Sequence, residues 1–325
     1  MNKKIYYIVF LILLLIIEVS ADDTKTDSMR RFSGRIEAGG FYANSDSQVI
    51  AYEVHGMDKQ IDDLGKSKSD LSFGAPLILF DVNYEVKEDL LVYFGTPFFM
   101  DSREGLSLGA EFLLDNGGLL DISLFGDSSG VWQDPYLTGE DREFTYCHKA
   151  GVNIIFSDIM SSNFFINYVE SIYTVEDDIS GDNDSRLERE GHTKKLKPGY
   201  TFNLNKALTT SLTTALIYER NDSSGRAYTY DKTGVELSLA YENSRSNIVF
   251  SAVSETSFYN NANPVFNKKV RDTNHSGSFI YTRKDLWDTN WYFRLGGGID
   301  YLDSNTDFFD HIIYLTGITM GYSFE

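Results

Sequence analysis

The chain has 325 residues, a formal net charge of −19 at pH 7 and a single cysteine. One cysteine excludes an intramolecular disulfide framework, and the acidic charge disfavours nucleic acid as a partner, because phosphates require a basic face. The chain contains 21 Tyr and 23 Phe, and these residue types favour strands.

The N-terminal stretch MNKKIYYIVFLILLLIIEVSA indicates a secretory signal peptide. Lys3 and Lys4 precede an apolar run, and Ala21 completes a V-x-A cleavage pattern. The apolar run is shorter than the roughly 20 residues that a membrane helix needs. We therefore predict export and three segments: a cleaved signal peptide at 1–21, a short periplasmic segment at 22–31 and one β-barrel domain at 32–325.

From residue 32 onward, apolar and polar residues alternate with period 2, which predicts strands. In the first half the pattern predicts seven strands, at 32–44, 75–86, 89–98, 105–114, 118–127, 146–156 and 162–174. In the second half it predicts seven more, at 194–204, 208–219, 231–242, 247–258, 275–283, 290–302 and 314–325.

The connections between these strands alternate in length. Those after even strands are short, such as KE and NKA, whereas those after odd strands are mostly long and polar, such as VEDDISGDNDSRLEREG. This plan is typical of an outer-membrane barrel, because a sheet can cross a bilayer only when it is closed. We predict an all-β, antiparallel, up-and-down transmembrane barrel of about 14 strands, with 12 as the alternative, short periplasmic turns and long extracellular loops. The strands of a secreted β-sandwich or β-helix also show alternating apolar and polar residues. The regular alternation of short and long connections disfavours both of these folds.

The closing stretch YLTGITMGYSFE has the cleanest alternation in the chain. Its last strand must pair with the first to close the barrel. Tyr322 and Phe324 give it the terminal aromatic that barrel assembly machinery reads in known outer-membrane proteins. Glu325 after Phe324 departs from that pattern, since the aromatic is usually the final residue.

Charged residues fall on the face opposite the apolar one, so we expect them to point into the lumen. They are Arg35, Glu37, Glu111, Asp121, Lys149, Lys195, Lys197, Lys232, Glu236, Arg294 and Asp300. Such mixed charges either line a water-filled pore or pair and fill it. Barrels of about 8 strands are filled by their own side chains and those of 16 to 18 leave a channel, so the strand number leaves both alternatives open.

Two long loops hold clusters of aromatic and polar residues, which either pack the loop or contact a solute. The third loop carries Trp132, Asp134 and Tyr136, and the sixth carries Asn263 and Phe266.

The fourth long loop, EDDISGDNDSRLERE, is acidic. Arg186 interrupts the ligand spacing of an EF-hand, so we expect a solvated loop, with loosely bound Ca²⁺ on its oxygen ligands as the alternative. The five histidines are scattered and form no zinc pattern. We expect no metal and no other cofactor.

A hydrolase is the enzymatic alternative. The segment FGDSSG holds Ser128, which resembles the nucleophile block of some esterases, and His148 lies in line with the outward residues of the sixth strand. Asp, Gly and Ser are also ordinary loop residues, so a plain loop is the alternative.

Four segments together resemble a family of uncharacterised Gram-negative outer-membrane proteins, a domain of unknown function known from vibrios and related marine bacteria. They are KSKSDLSFGAPLILFDVNYE, VWQDPYLTGEDREFT, NPVFNKKVRDTNHSGSF and YLTGITMGYSF. The resemblance covers essentially the whole mature chain. It implies a barrel in the outer membrane, and it supplies no established activity and no catalytic residues.

The sequence thus favours a passive, porin-like channel for small hydrophilic solutes. The alternatives are a structural or surface-interaction barrel acting through acidic loops, and a lipid-modifying hydrolase. The partners expected are outer-membrane lipid and lipopolysaccharide, periplasmic chaperones and the barrel assembly machinery, with a monomer as the oligomeric state.

Overall fold

The computed structural model describes residues 32–51, 59–65, 70–96, 105–115, 117–207 and 209–324. The proposed signal peptide, the segment 22–31 and Glu325 lie outside the described residues. The described residues form 14 antiparallel strands, each paired with its neighbours in sequence, and β14 pairs with β1 to close one barrel. The prediction of a 14-strand antiparallel barrel is confirmed, and the alternative of 12 strands is wrong.

The strands follow one another around the barrel in chain order. The first seven are β1 Phe32–Ser45, β2 Leu71–Lys87, β3 Leu90–Gly95, β4 Leu106–Leu113, β5 Leu119–Trp132, β6 Phe144–Ser157 and β7 Phe164–Val175. The second seven are β8 Gly191–Asn203, β9 Thr210–Ser223, β10 Tyr230–Glu242, β11 Ser246–Asn263, β12 Lys268–Leu286, β13 Trp291–Ser304 and β14 His311–Phe324.

Helical structure is confined to the connections. A short helix, α1, spans Ile179–Asn183, and single 3-10 turns lie at Ile159–Ser161, Ser185–Leu187, Arg226–Tyr228 and Asp307–Phe309. Within the described ranges, no helix has the length and apolar character needed to cross a membrane.

The connections after odd strands lie at one end of the barrel, which we call the long-loop end; the other is the short-turn end. We number the loops L1 to L7 in chain order, at 46–70, 96–105, 133–143, 176–190, 224–229, 264–267 and 305–310. Turns at the other end are as short as 88–89. L5, L6 and L7 are shorter than L4, so in the second half of the barrel the connections at the two ends differ less in length.

Alternation along each strand separates an apolar exterior from a polar interior. On β10, Val235, Leu237 and Leu239 are 47%, 50% and 41% exposed, whereas Glu236 and Ser238 between them are half-buried. Exposed leucines at every second position require an apolar solvent. The exterior of the barrel therefore carries the apolar band that lipid contact requires.

Exposed aromatic residues flank this band at both ends of the strands. Those toward the short-turn end are Phe32, Tyr200, Phe202, Tyr241, Trp291 and Tyr322; those toward the long-loop end are Tyr42, Tyr146, Tyr218, Phe258, Tyr301 and Tyr314. Tyr322 lies eight residues after Tyr314 on β14, and Tyr301 lies ten after Trp291 on β13. Each end of the barrel thus carries a ring of aromatic residues, an aromatic girdle. At ~3.3 Å per residue and a strand tilt of about 40°, the two girdles are roughly 20–25 Å apart, which matches the hydrophobic thickness that barrels present.

The seam between the first and last strands is fully paired, from Gly34 opposite Phe324 to Ser45 opposite Ile313. The Phe324 ring lies over Gly34, where a Cβ would come within 2.6 Å of ring atom Cζ. Glycine at position 34 therefore leaves the space that the terminal aromatic occupies. The part that Tyr322 and Phe324 play in assembly stays a prediction.

Candidate functional site

Charged side chains on the inner wall are paired with one another. Arg294 on β13 forms an ion pair with Glu37 on β1, and Glu37 is fully buried. Glu37 also accepts hydrogen bonds from the Tyr292 hydroxyl at 2.8 Å and from the Thr319 hydroxyl at 2.7 Å. Since these donors lie on β13 and β14, the network joins the last two strands to the first.

A second pair joins β1 to β2. Arg35, two residues before Glu37 on the same face of β1, lies 3.3 Å from Asp81. The wall around β1 is therefore neutralised locally, and its charges are not spread as a ring.

A second charged region lies on the wall formed by β8 to β11. Lys232 Nζ is 3.1 Å from Glu219 and 3.7 Å from Glu255. The Tyr230 hydroxyl donates to Glu219 at 2.7 Å. Nearer the short-turn end, Lys197 Nζ lies 3.1 Å from Glu236 Oε2.

The structure places the other charged residues predicted for the lumen on the same polar face. Glu111 lies opposite Asp121 in the β4–β5 ladder, and Asp121 accepts a hydrogen bond from the Tyr93 hydroxyl at 2.7 Å. Lys195 lies opposite Glu219. The remaining two are Lys149, whose ammonium lies 5.6 Å from the Phe125 ring centroid, and Asp300, which lies opposite Ser276.

A cavity of about 620 Å³ lies inside the short-turn half of the barrel. Its walls come from β6, β7, β8, β10, β11 and β12, and most lining side chains are hydroxyls and amides. The Lys197–Glu236 pair borders it. Paired wall charges thus leave space in this half that small polar groups line.

L3 crosses the long-loop end of the barrel. The Tyr136 ring packs 5.9 Å from Phe266 in L6 and 5.4 Å from Phe308 in L7, measured between centroids. Its hydroxyl lies 2.8 Å from that of Tyr228 and accepts a hydrogen bond from Asn263 Nδ2 at 3.1 Å. Because β5 and β6 are about half the ring away from β12 and β13, these contacts span the mouth. We call Tyr136, Tyr228, Asn263, Phe266 and Phe308 the loop plug.

Neighbouring loops hold the base of L3 in place. Arg189 in L4 donates to the Trp132 and Gln133 carbonyls at 2.8 Å each, and it pairs with Asp178 at 2.7 Å. The Arg142 guanidinium lies 4.2 Å from the Trp132 ring centroid. Loops are usually more mobile than the strands they connect, and the contacts of these two arginines fix the base of L3 in place.

Sequence analysis identified three members of the loop plug and missed two. It identified Tyr136, Asn263 and Phe266, together with Trp132, which lies buried beneath L3 and is 1% exposed, and Asp134, which accepts the Tyr136 backbone N–H at 2.9 Å. It missed Tyr228 and Phe308. For Phe308, the feature of the sequence that could have indicated a buried contact was the pair of phenylalanines in the polar stretch DSNTDFFDH.

Burial raises the pKa of Tyr136, and it raises the pKa of Tyr228 well above its ordinary value, with the nearby Tyr136 as a further cause. Both tyrosines are neutral in the plug, so their contribution to the stability of the plug is fully present below the unfolded pKa of about 10. Above that pH the unfolded or detached loop binds fewer protons, and the plug loses stability.

We therefore expect the plug to loosen above about pH 10. Trp132 is the reporter, in a variant that carries Trp287→Phe and Trp291→Phe and so retains one tryptophan. Acrylamide quenching of its fluorescence should stay weak at neutral pH and rise above about pH 10. Adding Tyr136→Phe removes one titrating group and should reduce the increase in acrylamide quenching at alkaline pH. Strong quenching at pH 7 would contradict the buried position of Trp132.

The acidic residues of L4 are partly used by internal contacts. Asp178 pairs with Arg189. Arg186 chelates Asp184 and lowers the pKa of that exposed carboxyl to about 2. Among the described residues, no three His, Cys, Asp or Glu side chains are grouped to hold a metal ion. Calcium binding at L4 stays a prediction.

The residues considered for a hydrolase meet on the outer face. Ser128 lies directly opposite His148 in the β5–β6 ladder, and His148 Nε2 lies 2.8 Å from Glu176 Oε1. His148 and Glu176 are about half exposed. The three residue types suit nucleophilic catalysis, and no pattern in the sequence indicated that Ser128 and His148 would be strand partners.

Comparison with known proteins places the chain in a family. Residues 32–323 match the model described as "Protein of unknown function (DUF2860)". The chain belongs to this family. The predicted resemblance to a domain of unknown function is confirmed, while its distribution among marine bacteria stays an expectation. No curated protein matches the chain.

Solved structures with a similar fold are outer-membrane proteins. The outer membrane channel DcaP of Acinetobacter baumannii has 9% identity and a TM-score of 0.45, over 91% of this chain and 97% of that one. OmpT of Vibrio cholerae has 9% identity and a TM-score of 0.40, over 93% and 100%. A Pseudomonas aeruginosa FadL homologue has 9% identity and a TM-score of 0.41, over 91% and 90%.

Proposed function

We propose that the protein is a passive outer-membrane channel for small hydrophilic solutes. The observation that carries the proposal is the cavity of about 620 Å³ inside a closed barrel, lined mainly by hydroxyls and amides. A barrel that served only as a surface scaffold has no need for such a space, and side chains of ordinary size would fill it.

The outer membrane suits the exterior of the barrel. The apolar band and the two aromatic girdles fit a bilayer, and closure leaves no unpaired strand edge in lipid. The N-terminal signal peptide, as interpreted from the sequence, would export the chain to that membrane.

The loop plug lies across the extracellular side of this path. A solute passing from outside must enter where Tyr136 contacts Phe266 and Phe308, so L3 has to move or leave a narrow way around it. Lids of this kind move on microsecond to millisecond timescales. The channel is therefore expected to be of low conductance, with L3 as the restriction.

Ion conductance of the refolded protein in planar bilayers tests this function. The wild type should show small, cation-preferring currents, because acidic loops concentrate cations at the mouth, and the preference should fade at high salt. Replacing residues 134–141 of L3 with a glycine–serine linker should raise the conductance several-fold, since the plug is lost.

A matched control alters a loop outside the plug. Asp184→Ala with Arg186→Ala removes an exposed ion pair of L4 and should leave the conductance unchanged. If the wild type and the L3 variant are both electrically silent while both show the gel mobility of a folded barrel, the channel function is wrong.

The alternative is a structural or surface-interaction barrel acting through its acidic loops. The observation that favours it is the loop plug, which joins L3, L5, L6 and L7 into one rigid surface. Silence of the L3 variant in the conductance experiment would make this the leading function.

A further inference from the structure

Small polar side chains make up most of the lining of the cavity in the short-turn half. Asn163, Asn167, Thr201, Ser251 and Ser276 contribute amide and hydroxyl groups. These groups both donate and accept hydrogen bonds. They match a solute that carries many hydroxyls, and they offer little to an apolar one.

The charges on the wall strands of the cavity cancel, and Asp158, the other charged residue that borders it, is exposed in the turn after β6. Lys197 and Glu236 are 3.1 Å apart, and their side chains are 17% and 23% exposed. A charged solute held between the wall strands would have to break this half-buried pair or leave its own charge without a partner, and either is costly. A neutral solute can hydrogen-bond to the pair as it stands.

Asn167 supplies a specific acceptor. It is 4% exposed, lies opposite Lys197 in the β7–β8 ladder, and its Oδ1 has no hydrogen-bond partner among the residues that the structure describes. A buried acceptor without a partner costs about 1–3 kcal/mol. Asn167 borders the cavity, and a rotation of its buried amide toward a solute hydroxyl would let Oδ1 accept a hydrogen bond and remove that cost.

Phe165 adds a flat apolar surface beside this acceptor. It lines the cavity two residues from Asn167 on the same face of β7. Its ring lies over Gly199, its cross-strand partner, where a Cβ would be 2.3 Å from ring atom Cζ. The ring is thus held against the wall, in the place where the C–H face of a sugar can pack on it.

We propose that this cavity is a binding site for a neutral, polyhydroxylated solute of sugar size. The volume of about 620 Å³ lies within the range of ~300–1,000 Å³ that small-molecule sites occupy. The inference rests on the proposed channel function, because it names the class of solute that the channel would pass.

Saturation-transfer NMR titrations test the site on the refolded protein, in a zwitterionic detergent without a sugar headgroup. Maltose is the neutral probe, and maltobionate and maltosamine, which carry a carboxylate and an ammonium on a disaccharide of the same size, are its anionic and cationic counterparts. We expect maltose to bind at least about fivefold more tightly than either charged compound. Loss of one hydrogen bond in Asn167→Ala should weaken maltose binding by about fivefold.

Asn153→Ala is the matched control. Asn153 is also a fully buried asparagine of the inner wall, on β6, but it does not border the cavity, so binding should change less than twofold. Phe165→Leu is a second test in case Asn167→Ala folds poorly, and it should weaken maltose binding without creating affinity for maltobionate. Equal binding of the three probes, absence of maltose binding, or equal effects of the two asparagine variants would each overturn the proposal.

Binding needs no transport, so the two proposals fail separately. A protein that conducts ions but does not bind maltose retains the channel function and loses this site. A protein that binds maltose through Asn167 but stays silent after the L3 change retains the site and loses the channel.

Discussion

Glu37→Gln should lower the free energy of unfolding by about 3–5 kcal/mol, the cost of removing one partner from a buried ion pair. Glu37 is fully buried, and it accepts from Arg294, Tyr292 and Thr319. Glutamine keeps the shape but loses the charge, and its amide group places a donor where three donors converge. Arg294, whose side chain is 10% exposed, would lose its counter-charge.

The loss should act at the seam, because Glu37 lies on β1 and its donors lie on β13 and β14. Urea unfolding of the refolded barrel in lipid vesicles, followed by tryptophan fluorescence, measures the effect. Glu242→Gln is the matched control: Glu242 pairs with Lys284 at the surface, with side chains 56% and 40% exposed, and it should cost less than about 1 kcal/mol. Equal losses in the two variants would show that the Glu37 network does not hold the seam.

Leu237→Arg should lower the free energy of unfolding in lipid by ~2–4 kcal/mol, the cost of an arginine near the bilayer midplane. Leu237 is 50% exposed on the outer face. Tyr241, in the aromatic girdle at the short-turn end, lies four residues after Leu237. Thr233, four residues before Leu237, is the ladder partner of Tyr218 in the girdle at the long-loop end. The Leu237 side chain is therefore midway across the apolar band.

Ser276→Arg puts the same residue type on the opposite face, where Ser276 borders the polar cavity. Lumen substitutions avoid the penalty of lipid contact, so this variant should be markedly more stable than Leu237→Arg in the same vesicles. A larger loss for Ser276→Arg would mean that the two faces of the barrel are assigned the wrong way round.

The extents of the strands show where a local pattern stops being informative. The sequence predicted a strand at 275–283, whereas β12 runs over Lys268–Leu286. The added residues include Lys269, Arg271 and Asp272, which lack apolar alternation but pair with β11 across a bulge. Beyond the bilayer, backbone hydrogen bonding alone extends a ladder, so hydrophobic period cannot mark its end.

The identity of the inner face was predictable because side chains alternate with period 2 on any strand. The partner of each inner charge was not. Lys197 pairs with Glu236, two strands away, and Arg294 pairs with Glu37, which is distant in sequence but close across the seam. Such pairs depend on strand stagger, which alternation does not specify.

By itself, the sequence determined a closed barrel of 14 strands, because each strand encodes its own two faces and a sheet in lipid has no stable open edge. The loop plug and the polar cavity were decided only by the tertiary structure. Asn263 reaches Tyr136 across 127 residues, and Asn167 and Ser276 face the same space from β7 and β12. These contacts exist only once the ring closes, since closure brings opposite walls within reach of one another.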